Sequence, residues 1–500
     1  MRRGVAAALM LLAATEAAAR VGGGQGFGVG GGGRGGGGSW GGGGGSGGDS
    51  ELGSLLVWLV LQHPMIGVPV LLVVVVWAIN NAGSRPGGAT PGGWRGFHGR
   101  PGGGVTRRQG RVAAAEPPGW TALRIADPGL SEPVFHDYVQ LVVRRAWEAA
   151  AGGPDAPAWE ALASQIAPGV RGPLGTRLRG VVLSDVCLAA TTVLDVTRAD
   201  AQDRIDVRVA ATRVEDGATR YVEEVWTFGR AVGAKSATPE ATIRVGCPSC
   251  GSAMGTDTLG RCKACGTPVA AGQLGWQAVV WMHAESRPVT PMDVSWSEGG
   301  REPGYELPIP DDPELGTQAR AFRGRHPTHD DTAFEAHLRT TFLALQRAWS
   351  DDRWEDARRF TTDSCWNTLR FQVERYRRDG LRNRVDEVRI AGVRLLRLDV
   401  DGWLESATVR FWASCLDWTE RTDGSLVGGN RDARREFSEV WTFVRAVGAD
   451  EGPTPHCPSC GGPLHAVEAA GRCPHCGSVV LPARFGWVVA RIEQPEVYRR

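Results

Sequence analysis

Glu224-Val225-Trp226-Thr227-Phe228-Gly229-Arg230-Ala231-Val232-Gly233-Ala234 returns later in the chain as Glu439-Val440-Trp441-Thr442-Phe443-Val444-Arg445-Ala446-Val447-Gly448-Ala449, with ten of eleven positions identical. A match of that length is an internal duplication. It extends outward. Arg145-Ala146-Trp147 and Trp159-Glu160 have counterparts in Arg347-Ala348-Trp349 and Trp354-Glu355, and Leu274-Gly275-Trp276 has one in Phe485-Gly486-Trp487. Two copies of about 150 residues read as two domains, since a solenoid needs shorter periods and more repeats.

Each copy opens with helical periodicity. Residues 134–150 and 332–350 place apolar side chains three and four apart, as in Phe334, Leu338, Phe342, Leu345 and Trp349. Asp331 or Thr332 is the expected cap of the later helix. The second part of each copy alternates with period two, at Ile205, Val207 and Val209 and again at Val409, Phe411 and Ala413. Helices followed by a mostly antiparallel sheet define an α+β class. Residues 293–325, rich in Pro, Gly and charge, read as a flexible linker between the copies.

Eight of eleven cysteines form two matching sets: Cys247, Cys250, Cys262 and Cys265, then Cys457, Cys460, Cys473 and Cys476. Each set is two Cys-x2-Cys pairs separated by 11 or 12 residues. Two intervening residues let one tight turn present both sulfurs to a single ion, and the glycine after each pair accepts the positive φ such a turn needs. Four thiolates complete the closed tetrahedral shell of structural zinc. The expectation is two zinc ions per chain, held in ribbons at residues 245–268 and 455–479. A redox pair would open a helix beside a βαβ pattern, which is absent here. His456, His465 and His475 lie outside the complete sets. Cys187, Cys365 and Cys415 have no counterparts and read as buried small apolar residues.

The remaining sequence concerns location. Residues 1–19 have a basic start, an apolar stretch and small residues at the end, the pattern of a signal peptide, and an uncleaved anchor fits the same residues. Residues 20–51 are glycine-rich and too poor in apolar side chains to bury a core. Residues 52–80 hold the apolar run 55–79, about 37 Å long as a helix, enough to cross a hydrocarbon core of about 30 Å. Six arginines and no acid lie between residues 85 and 111, which puts everything after the span on the cytoplasmic side of the cell's inner (plasma) membrane. These arginines, in the 81–130 linker, suit contact with anionic headgroups and suit a solvated linker equally. The formal net charge of +1 argues against a wholesale polyanion binder. The 54 arginines against two lysines, Lys235 and Lys263, reflect genome composition more than function.

Two further candidates carry charge. On the repeated strand, alternation puts Glu224, Trp226, Phe228 and Arg230 on one face, as it does Glu439, Trp441, Phe443 and Arg445. That face lines a pocket with a carboxylate and a guanidinium, or is a core strand with charged ends; the second reading is preferred. Residues 366–389 hold seven arginines among Phe371 and Tyr376 and read as a basic helix that could meet anionic lipid or nucleic acid, but Glu374, Asp379, Asp386 and Glu387 dilute them, so a solvated face is preferred.

With its signal-like start, Gly-rich stretch, single span, and helices before a sheet that ends near Glu-Val-Trp-Thr-Phe-x-Arg and Gly-Trp, the chain resembles bacterial membrane proteins of the Tim44-like family. These are similar to the C-terminal domain of the mitochondrial inner-membrane translocase subunit that scaffolds the import motor. The resemblance covers residues 131–287 and 332–500, and its best local motif is Trp226-Phe228-Arg230 and Trp441-Phe443-Arg445. It implies two tandem cone-shaped domains like nuclear transport factor two, at residues 131–290 and 332–500 with 291–331 between them. It also implies a noncatalytic, membrane-tethered scaffold that presents both domains to an unidentified protein partner or to lipid, linked to protein translocation. The competing classes are an enzyme or small-ligand binder using the cone, and a nucleic-acid binder acting through the ribbons. The ribbon spacers are small and neutral, so nucleic acid is not favoured.

Overall fold

The computed structural model describes residues 118–199, 201–242, 247, 261–267, 275–289, 291, 299–449, 460–463, 473, 475, 483 and 486–498. The expected signal peptide, glycine tract, membrane span and most of the arginine linker lie outside the described residues. Among the described residues, no helix is long and apolar enough to cross a membrane.

The first half begins with helices α1 (Pro118–Ala126), α2 (Glu132–Ala150), α3 (Ala158–Ala161) and α4 (Pro168–Leu178). Strands β1 (Leu183–Ala199), β2 (Gln202–Glu215) and β3 (Ala218–Ala231) follow, then the short α5 (Pro239–Thr242) and β4 (Gln277–Pro288). The second half has β5 (Gly300–Arg301), α6 (Leu315–Arg325), α7 (Asp331–Ser350), a 3-10 turn at Trp354–Phe360 and α8 (Asp363–Arg378). It closes with β6 (Leu381–Val400), β7 (Leu404–Arg421), β8 (Leu426–Ala446) and β9 (Val488–Glu493). The first sheet runs β1-β2-β3-β4. In the second, β8 pairs with β7, β5 and β9, and β6 lies at the edge. All these pairings are antiparallel except the short β5–β8 contact.

Local chemistry explains the elements. Asp330, not the expected Asp331 or Thr332, caps α7 by accepting from the Thr332 and Ala333 amides at 2.8 and 3.2 Å. Asp216 and Gly217, with φ of 50° and 83°, form the two-residue turn between β2 and β3, whose twist suits a hairpin. Both first strands break register three times: between Ser184/Cys187, Leu188/Thr191 and Val193/Asp195 in β1, and between Asp386/Arg389, Ile390/Gly392 and Leu395/Arg397 in β6. The first residues of the three breaks lie 202 positions apart in the two strands. Each bulge bends and twists the strand. Asp185 (φ 45°) and Glu387 (φ 47°) hold the first bulge of each series in the left-handed region.

Each half has its own apolar core. Trp147, Trp226 and Phe228 are fully buried in the first, and Trp354, Trp441 and Phe443 in the second. Cys187, Cys365 and Cys415 are buried, as expected.

Two readings need correction. The stretch expected as a flexible linker folds against the second sheet: β5 pairs with β8, and Phe322 of α6 is buried in the second core. Its charges have partners there, which composition does not show. The basic run 366–389 is not one helix. Arg378 ends α8, Gly380 turns the chain with φ 65°, and Arg382, Arg384 and Arg389 belong to β6. Arg377 pairs with Asp352 and Glu374, and Arg378 with Asp379, which agrees with the solvated-face reading.

Candidate functional site

The thiols come first. The first set falls between β3 and β4, and the second between β8 and β9, so each interrupts an antiparallel hairpin connection. Cys247, Cys262 and Cys265 bring their Sγ atoms within 4.8 Å of one another. Cys247 and Cys265 are 3.7 Å apart, as are Cys460 and Cys473 at 3.6 Å. These separations are too long for a disulfide bond. They match the edge of a sulfur tetrahedron, about 3.8 Å when each metal–sulfur bond is about 2.3 Å. Gly266 (φ 70°) and Gly461 (φ 74°) adopt the left-handed turn expected after each pair. The Ala264 amide lies 3.4 Å from Cys262 Sγ. Amide donation from Cys265 and Ala264 holds the Cys262 thiol below its ordinary value, which favours the thiolate that a metal requires. Cys250, Cys457 and Cys476 lie outside the described residues. The donor chemistry and spacing fit one soft divalent ion per set.

The charged repeat strands come second. Glu224 has no exposed surface and accepts from the indole N–H groups of Trp147 and Trp226, each at 3.0 Å. The Arg213 guanidinium is 3.6 Å from its other oxygen and lies 4.6 Å over the Trp147 ring. Burial pushes the Glu224 carboxyl up, against the opposing pull of Arg213 and the indoles. Arg230 pairs with Asp127 at 2.6 Å and stacks over Trp276 at 4.4 Å. The second copy keeps part of this plan. Glu439 accepts from Trp441 at 2.9 Å, and Arg445 stacks over Trp487 at 4.7 Å. Its carboxylate partner is Glu405, which also accepts from Arg325 at 3.0 Å and His326 at 2.8 Å. Burial alone would raise Glu405, but the bonds from His326 and Arg325 outweigh it and hold the carboxyl down.

Sequence reading found Glu224 and Arg230 but missed Arg213, Asp127, Glu405 and His326. These come from other elements, and the one available signal was Arg213, a charge at an inward position of an alternating strand. The halves also differ at the Arg213 register position. The second sheet has buried Cys415 there, among Phe342, Phe411 and Phe437, whose ring centres lie 4.6–6.4 Å apart.

The halves meet along a seam. The Asp137 carboxylate of α2 accepts from the Ser364 amide of α8 at 2.7 Å, and Asn367 donates to Gln140 at 2.9 Å. Phe371 of α8 packs with Cys187 and Tyr221 of the first sheet. Val134 of α2 packs with Leu404, Val444, Ala483 and Val488 of the second half.

A helical layer before a bulged antiparallel sheet, with its buried charges paired internally, places each half in the α+β class. Residues 315–454 match the Tim44-like domain, so the chain carries a Tim44-like domain in its second half. The match begins at the first residue of α6, which makes that helix part of the domain, and stops before Cys457. No curated protein matches the chain. A Tim44-like domain points to binding or scaffold work associated with membranes, in a family that is generally noncatalytic.

Proposed function

We propose that the chain is a noncatalytic, single-pass membrane-tethered scaffold whose two cone-shaped halves face the cytoplasm and hold a protein or lipid partner. The Tim44-like match over residues 315–454 carries this reading. The 55–79 apolar run with its arginine flank supports the tether, and the first half joins by the internal repeat. The repeat strands support a structural role, because Glu224, Arg230, Glu439 and Arg445 are buried among their own partners. The eight thiols, in this reading, hold two zinc ions that close the hairpin insertions and have no position for substrate.

Alkaline carbonate extraction tests the tether. The full chain should stay in the membrane pellet, whereas a chain beginning at residue 118 should leave it. Recovery of the full chain in the supernatant overturns the reading. Protease should cut the second half only in vesicles that expose the cytoplasmic face.

One observation favours a second reading, a small-ligand pocket in the first half. Glu224 and Arg213 are buried beside half-buried Trp281 and His283, where the second half is filled by aromatic rings. A ligand bound there should be lost in Arg213→Ala while membrane extraction behaviour is unchanged.

A further inference from the structure

The second sheet packs one face on its core, and the chain itself covers the other. Arg410 and Trp412 alternate along β7 with the core residues Val409 and Phe411, as Ser438 and Val440 do along β8 with Phe437 and Trp441. Residues 302–312, which lie before the Tim44-like match, run across this outer face as a strap. The face reads the strap through its backbone. Arg410 donates to the carbonyls of Gly304, Tyr305 and Leu307 at 2.8, 3.0 and 2.6 Å. Trp412 donates to Tyr305 at 3.1 Å, Ser438 to Gly304 at 3.0 Å, and Arg394 to the Ile309 carbonyl. Acids at both ends of the strap meet sheet arginines: Glu302 pairs with Arg435, Asp311 with Arg394 and Asp312 with Arg397. Ile309 is the apolar anchor, buried with Leu396 and Val440.

The two copies differ here. The first-half residue matched to Arg410 is Arg208, which pairs with Glu223 at 3.5 Å. The second half has Ser438 in the place of Glu223. Arg410 is only 2% exposed, and its hydrogen bonds go to Ser438 and the strap carbonyls, with no ion pair among the described residues. Deepening the reading that the second half holds a protein partner, we propose that this outer face is a docking surface for an extended, acidic, proline-bearing peptide, and that residues 302–312 occupy it as the chain's own competitor. Pro308 and Pro310 keep the strap extended and have no N–H to satisfy. Proline-rich peptides dock in this manner, through a preformed backbone laid against aromatic and polar donors.

A labelled peptide with the sequence of residues 302–313, titrated onto the full chain in detergent and followed by fluorescence anisotropy, tests this. A tethered competitor acts at an effective concentration in the millimolar range. Ile309→Asp, which weakens the strap and leaves the sheet donors intact, should therefore bind the peptide about tenfold or more tighter than the parent. Arg410→Met added to Ile309→Asp should abolish that gain. Ser438→Glu, which restores the pairing of the first half, should loosen the strap in hydrogen exchange and bind no peptide. Excess peptide on the parent should itself speed exchange in residues 304–309 of the chain, which covers an Ile309→Asp chain that fails to fold. Equal affinity in parent and Ile309→Asp, or binding that survives Arg410→Met, overturns the docking surface and makes the strap a fixed part of the domain. A peptide with Gln and Asn for its acids that binds equally well overturns the acidic preference. A chain that stays in the membrane pellet yet fails these tests keeps the scaffold reading and loses only this one.

Discussion

Glu224 and Glu405 are both buried, yet burial prevails at Glu224 and raises its carboxyl, whereas the bonds from His326 and Arg325 prevail at Glu405 and lower it. Glu224 has a folded value above its ordinary one, so its contribution is complete below about pH 4.5 and is lost as pH rises through the folded value. Glu224→Gln keeps an oxygen for the Trp147 and Trp226 indoles and should change stability by less than about 1 kcal/mol at neutral pH. Glu224→Ala strands both N–H groups, at about 1–3 kcal/mol each. Glu405 has a folded value below its ordinary one, so its contribution is present above about pH 4.5 and is lost as pH falls through the folded value. Denaturant midpoints across the pH range check both: Glu224→Gln should flatten the decline toward neutral pH, and Glu405→Gln the decline toward acid. Alternation alone placed Glu224 and Arg230 on one face. It could not name Trp147, 77 residues away, or Asp127, 103 away, because which helix lies over a strand is a matter of packing.

Among elements, the first strands were hardest to read. Three bulges in β1 and three in β6 move the inward face partway along the strand, so neither shows the clean alternation of β2 and β7. The arginine-rich run looked like one basic helix, but Gly380 ends the helix and the second part of the run is the start of β6. Glu387 holds a left-handed conformation at the first bulge. Glu387→Gly should be tolerated or slightly stabilising, and Glu387→Val should cost about 1–2 kcal/mol, read as a lower unfolding midpoint. The same pair at Asp185 should behave alike, since the bulge is repeated. The opening helices α2 and α7 were legible from spacing.

In the whole molecule the halves are not beads on a flexible string. Asp137 of the first half caps α8 of the second, and burial pushes its carboxyl up despite the Ser364 bonds. Asp137→Ala should cost about 0.5–2 kcal/mol, as lost caps do, and increase exchange at Ser364 and Cys365. Asp137→Asn, which keeps an acceptor, should lie close to the parent. Metal analysis of the intact chain should find two zinc ions, and a strong chelator should lower the unfolding midpoint. A chain that binds none leaves the cysteine pairs without the role proposed here.

The duplication, the α+β order, the paired thiols and the apolar run before residue 80 are all written in local spacing, and spacing survives without any fold. A repeated strand motif, a Cys-x2-Cys turn with its glycine, or a 3.6-residue period each depends on neighbours a few positions apart. What tertiary structure decided is which partners those residues meet: Asp127 for Arg230, Glu405 for Arg445, and Asp137 for the end of α8. It also decided that residues 300–325 join the second half. These depend on bulges that turn a strand and on helices that choose a face. Such choices are made by packing among residues up to 359 positions apart, where local pattern has no reach.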